Sequence, residues 1–182
     1  MAPLPDETLG AGSAAAARVI LEERARVLAR PLAPDEDGDS LVLLGFTVAG
    51  RAYAVEVGHV REVLAHADVS RLPWASPAMA GVINVRGEIV PLADTARVLG
   101  VGETGSGGPV IVLDGGGHPL GLRVDAVDDV TTIAARTLVA PEGDAARVAG
   151  DLVLGLTASA VVLDARALYT DPRLTNHPQE DT

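Results

Sequence analysis

The groups in this chain that could carry chemistry are four histidines, a set of close carboxylates and one glycine-rich stretch. His59, His66, His118 and His177 are scattered, and none forms the H-x-x-x-H pair that sets two imidazoles on one metal. Cysteine is absent, which removes thiolate zinc sites, thiol nucleophiles and disulfides together. Gly100-Val-Gly-Glu-Thr-Gly-Ser-Gly-Gly108 invites comparison with a phosphate loop. Such a loop needs a lysine to reach the phosphates, and every basic residue here is arginine. The stretch also runs through Pro109 into an apolar segment, not into a helix N-terminus. It is expected to be a flexible hairpin loop. Gly105-Ser106-Gly107 is a fragment of a nucleophile elbow without its strand-to-helix setting. Along a strand, Asp125 and Asp129 would share one face and Asp128 the other. Paired carboxylates can act as acid and base or hold a cation, but such clusters more often mark a solvated strand end. No constellation carries a reaction. The expectation is a protein that is not an enzyme, with no catalytic residue, no cofactor and no metal site.

Composition narrows the partners. The net charge of −11 argues against nucleic acid, which needs a basic footprint, and against charge-driven docking on an anionic membrane. The apolar runs are short and broken by Gly, Asp or Arg, far from the roughly 18–20 residues of a membrane span. A secretory signal wants a basic start and an unbroken apolar segment. Here Asp6 and Glu7 come first and Arg18 interrupts the alanines, so the chain is expected to be cytoplasmic, with no membrane insertion.

Apolar residues make up 48% but aromatics only 2%, so the core must be built from aliphatic, largely β-branched side chains. Three segments are expected. Residues 1–39 form an N-terminal extension: a helix capped by Ser13 and closed by Pro31, with Ala17, Leu21, Ala25 and Leu28 on one face, then an acidic linker. Residues 40–170 form the folded domain, and residues 171–182 a polar C-terminal tail. Within the domain, short aliphatic strands alternate with tight turns such as Ala49-Gly50-Arg51, Arg86-Gly87 and Gly115-Gly116-Gly117. Val60–Leu64 fits a strand or a short helix. Asp94 is placed to cap a helix reaching about Leu99, and a second short helix follows Asp164. Many short strands without long crossover helices indicate small antiparallel barrels rather than a parallel sheet.

One order of segments is far more specific than these patterns. Val60-Arg-Glu-Val-Leu64 precedes Arg71-Leu-Pro-Trp-Ala-Ser-Pro77. Then come Gly81-Val-Ile-Asn-Val-Arg-Gly-Glu-Ile-Val-Pro-Leu-Ala-Asp94, Arg97-Val-Leu-Gly100 and Leu120-Gly-Leu-Arg-Val-Asp-Ala-Val-Asp-Asp-Val130. Over about residues 41–170 this resembles the CheW family of chemotaxis coupling proteins. The resemblance implies an all-β (mainly β) fold of two small five-stranded SH3-like barrels sharing a core. It also implies a scaffold between the cytoplasmic tip of a chemoreceptor (a methyl-accepting chemotaxis protein) and the regulatory domain of a CheA-type histidine kinase, recruited to membrane-associated receptor arrays.

The family's receptor-binding groove maps onto Val60, Glu62, Arg86 and Val130; its kinase-facing surface has no motif to carry over. With no receiver or kinase domain beside the barrels, a stand-alone adaptor is expected rather than the fused CheV type. The alternative is an adaptor of a non-flagellar chemosensory system, governing type IV pili or development. The chain departs from the family's pattern at Ala93, where a larger aliphatic residue is usual, and at Arg123, inside a normally apolar strand. Thr157-Ala-Ser-Ala160 likewise replaces an apolar strand entry.

Overall fold

Segments of three to nine residues, some wholly aliphatic and others alternating with polar side chains, fold into ten strands in a computed structural model that describes residues 39–73, 75–115, 117–141 and 150–174. The helix expected over 13–29, its linker, Trp74, Gly116 and the tail from 175 onward lie outside these residues. The strands are β1 (Ser40–Val48), β2 (Arg51–Glu56), β3 (Val60–Leu64), β4 (Met79–Val85), β5 (Glu88–Asp94), β6 (Val110–Leu113), β7 (Leu120–Arg123), β8 (Ala126–Ala134), β9 (Val153–Leu156) and β10 (Val161–Leu163). Two short helices, α1 (Thr95–Val98) and α2 (Ala165–Thr170), follow β5 and β10. Each is capped by an aspartate: Asp94 accepts from the Arg97 N–H, and Asp164 from the Arg166 and Ala167 N–H groups.

The strands make two five-stranded sheets, ordered β8-β1-β2-β10-β9 and β3-β6-β7-β5-β4. Read in that order, both sheets pair antiparallel, antiparallel, parallel, antiparallel. The second uses β3 to β7 consecutively, whereas the first takes β8-β9-β10 from one end of the domain and β1-β2 from the other. They are circular permutations of one design. Each sheet closes on itself through a residue just beyond its first edge strand: Val139 bridges Leu156, and Ser70 bridges Val82. Gly81 permits the second closure, because a Cβ there would lie 2.3 Å from the Ser70 carbonyl oxygen and its φ is +144°.

Strand alternation distributes the apolar residues among three cores. Ile83, Val85, Val90, Leu92, Val110 and Val112 fill the interior of the β3–β7 barrel. A smaller set, Leu43, Ala54 and Val162, fills the other. The largest core joins the two barrels, drawing Phe46, Val48 and Val55 from one, Ile111, Leu113 and Leu122 from the other, and Leu168 from α2. That division explains why all four residues of β6 are apolar: Val110 and Val112 point into their own barrel, Ile111 and Leu113 into the shared core.

The expected barrels are present, with differences. Each contains one parallel pair, β5–β7 and β2–β10, where purely antiparallel barrels were expected. A strand and a short helix intervene between the parallel partners β5 and β7, so no long crossover helix is needed. Val60–Leu64 is a strand, introduced by a 3-10 turn at Val57–His59. The glycine-rich loop is pinned midway, since Thr104 is buried and bonded to Asp94. The segment expected to begin a polar tail is docked instead: Asp171 is buried, Arg173 donates to the Val98 carbonyl at 2.6 Å, and Leu174 packs on the shared core. Ala93 is fully buried in that core. Among the described residues, no helix is long and apolar enough to cross a membrane.

Candidate partner-binding site

The β4–β5 hairpin turns in two residues, Arg86 and Gly87, with Val85 registered on Glu88. Both turn residues have positive φ, +52° and +91°, as the tight mirror-image turn of a hairpin requires. Glycine adopts this freely, but for arginine the left-handed region costs roughly 1–2 kcal/mol. Asn84 supports the turn by accepting the Gly87 N–H at 2.8 Å. Pro91, further along β5, lies opposite Val82, whose N–H and carbonyl are both committed to Ser70. The missing proline N–H is therefore not wanted on that side.

On β3, Val60 is registered with Leu113 but Glu62 with Val112, so Arg61 is the extra residue of a β-bulge. The bulge switches faces. Val60 stands with Leu113 of the shared core, while Glu62 stands with Val112 at the mouth of the β3–β7 barrel. There the hairpin tip meets β3 through two ion pairs. Arg86 Nη2 donates to Glu62 Oε2 at 3.2 Å, and Arg61 Nη1 donates to Glu88 Oε2 at 2.7 Å. The Glu62 side chain is 17% exposed and that of Arg86 is 77% exposed, so the glutamate is set in the protein and the arginine projects from it. Glu62, Leu64, His66, Asp68, Asn84 and Arg86 line a cleft of about 450 Å³.

Of the four residues assigned to the groove, Glu62 and Arg86 are thus in contact. Val60 is half-buried against the shared core. Val130 lies on β8, in the other barrel, registered with Leu44 and 57% exposed. Sequence reasoning missed Arg61 and Glu88. Their charges were visible, but nothing local marks a bulge that brings them together.

The other candidates resolve into structure. Asp125 accepts the Ala49 N–H at 2.6 Å and so fixes the β1–β2 turn, where Ala49 also has positive φ. Asp128 accepts from the Thr47 hydroxyl at 3.3 Å, beside a bulge opposite Gly45. Among the described residues, no three of His, Cys, Asp and Glu gather as a metal site would need. The densest polar cluster surrounds Asp94, which accepts from Thr104 N at 3.0 Å, Thr104 Oγ1 at 2.9 Å, Arg97 N at 3.4 Å and Arg123 Nη2 at 2.7 Å. Burial pushes its pKa up, but these hydrogen bonds outweigh burial and the net shift is downward. Both carboxylate oxygens accept from within the chain, so this cluster ties α1, the glycine-rich loop and β7 together.

Two closed five-stranded barrels on a shared core, with a charged hairpin tip at one mouth, define a twin-barrel β protein. The chain belongs to the CheW family: the family model described as a CheW-like domain matches residues 42–173. Relatives include the chemotaxis protein CheW of Rhizobium meliloti, 32% identical over 98 residues, which are 53% of this chain and 63% of that one. The chemotaxis protein CheW of Bacillus subtilis is 29% identical over 109 residues, 58% of this chain and 69% of that one. Protein PilI of Pseudomonas aeruginosa is 36% identical over 83 residues, 45% of this chain and 47% of that one. The chain covers less than two thirds of the length of the first two curated relatives, 63% and 60%. Among solved structures, the scaffolding protein TtCheW from Thermoanaerobacter tengcongensis shares the fold, with a TM-score of 0.66 at 23% identity over 74% of this chain and 96% of that one.

Proposed function

We propose that this chain is a non-enzymatic adaptor that couples chemoreceptors to a CheA-type histidine kinase in the cytoplasm, at receptor arrays. The observation that carries this reading is Arg86: a long cation kept in an unfavourable backbone region, anchored at one point by Glu62, with most of its side chain exposed. A residue placed so serves recognition better than folding, because an exposed ion pair contributes only about 0–1 kcal/mol to stability, less than the strain that accompanies it. Membership of the CheW family supplies the partner class. The receptor tip is proposed to dock on Val60, Glu62, Arg86 and Val130, with the two valines adding apolar contact to the charged pair's recognition. The kinase regulatory domain is proposed to bind elsewhere on the barrels.

Co-sedimentation of a receptor cytoplasmic fragment, a CheA-type kinase and this chain tests the reading. The kinase should enter the receptor pellet only when the chain is present. Equal recovery without it would refute the coupling role. A second reading, an adaptor of a non-flagellar system governing type IV pili or development, draws support from the likeness to Protein PilI. Which receptor and kinase co-purify with the chain decides between the two.

A further inference from the structure

Glu62 has two guanidinium groups within reach. Arg61 is its chain neighbour, with Nε 3.9 Å from Glu62 Oε1; Arg86 arrives from the hairpin, with Nη2 3.2 Å from Oε2. A mostly buried carboxylate turned toward its neighbour would leave Arg86 without its anchor. The shorter contact shows where Arg61 is committed: its Nη1 lies 2.7 Å from Glu88 Oε2. Glu88 follows the Arg86-Gly87 turn directly, so one hairpin carries both the arginine that Glu62 holds and the carboxylate that engages the competing arginine. The bulge at Arg61 makes this possible, since without it Arg61 and Glu62 would alternate in the ordinary way across β3.

We infer that Glu88 is a positioning residue for the binding site: by engaging Arg61 it reserves Glu62 for Arg86, and so aims Arg86 at the partner. The inference rests on the reading of Arg86 as a receptor contact. It differs from a simple strut. If the Arg61–Glu88 pair only pinned the hairpin to β3, removing both partners would be as harmful as removing one. If Glu88 acts by occupying Arg61, removing Arg61 as well eliminates the competitor and restores the site.

The test is the affinity for a chemoreceptor cytoplasmic-tip fragment, with melting temperatures, for wild type, Glu88→Gln, the double variant Arg61→Gln/Glu88→Gln, and Arg86→Gly as control. Glu88→Gln should weaken binding by roughly fivefold at an unchanged melting temperature, the upper end of what one exposed ion pair is worth. The double variant should return to within about twofold of wild type, a non-additivity expected only of coupled neighbours. Wild-type affinity in Glu88→Gln, while Arg86→Gly binds weakly, overturns the inference and leaves the site standing. Failure of the double variant to recover makes Glu88 a strut and also overturns it. Undiminished binding by a folded Arg86→Gly removes the site, and the inference falls with it.

Discussion

Asp94 and Arg123 face each other across the parallel pair β5–β7 and join at 2.7 Å, with side chains only 5% and 15% exposed. The carboxylate simultaneously caps α1 and holds Thr104. Removing one member of a buried pair leaves the other charged and unpaired, which typically costs about 3–5 kcal/mol. Asp94→Ala should fall in that range. Arg123→Met should cost less, because Asp94 keeps its hydrogen bonds from Thr104 and the helix. A double-mutant cycle by denaturant unfolding should show clear coupling, and additive losses would contradict the pairing.

Acid sensitivity follows from the same carboxylate. Asp94 and Asp171 both lie below the ordinary 3.8, Asp94 despite its burial and Asp171 chiefly through its hydrogen bonds with Arg173. As pH falls, the unfolded chain takes up these protons first. Their stabilisation is therefore present above the unfolded value and is lost as pH drops through the folded values. Urea midpoints measured from neutral pH downward should decline steeply below about pH 4. The Asp94→Asn/Asp171→Asn variant should decline less, and an identical slope would show that other groups govern acid unfolding.

The tyrosines give the opposite signature at high pH. The chain has only two. Burial raises Tyr53, partly offset by Arg51, while burial and the nearby Asp114 push Tyr169 up to about 12. A raised phenol contributes stability below the unfolded value of 10.0 that is lost as pH rises. Phenolate absorbance of the folded protein should appear above that value, and unfolding should return it. A folded titration centred at the ordinary value would contradict the burial of both rings.

The shared core predicts that the barrels unfold as one. Leu113 is fully buried, and its side chain serves the core between the barrels rather than the interior of its own. Leu113→Ala should cost about 2–5 kcal/mol and leave a single transition. Two resolved transitions would mean that each barrel stands alone.

Much of this architecture is legible in the segment from Gly81 to Asp94, because its residues have narrow uses. Gly87 signals a positive φ, Asp94 a helix cap, and the alternation about Val90 and Leu92 a strand facing a core. The placing of Glu62 and Arg86 in one groove follows from the family resemblance, whereas their contact comes from the structure, since nothing in the 24-residue separation announces it. What stayed hidden depends on long-range register. The bulge at Arg61, the closures by Ser70 and Val139, and the docking of Arg173 on the Val98 carbonyl carry no local pattern. Thr104 sits in a stretch so rich in glycine that flexibility was the natural expectation, and the anchor lies ten residues back, at Asp94.

The most direct test of the account uses Arg86→Gly. Glycine suits the left-handed turn better than arginine does, so the variant should fold at least as stably, by up to about 1 kcal/mol. It lacks the guanidinium that is proposed to meet the receptor. Affinity for a receptor cytoplasmic-tip fragment, measured beside the melting temperature and the affinity for a CheA-type regulatory domain, should fall by more than about tenfold. Kinase affinity should change little, and the melting temperature should hold or rise. Receptor affinity equal to wild type in a folded Arg86→Gly protein would contradict the assignment of the hairpin tip as the receptor-binding site.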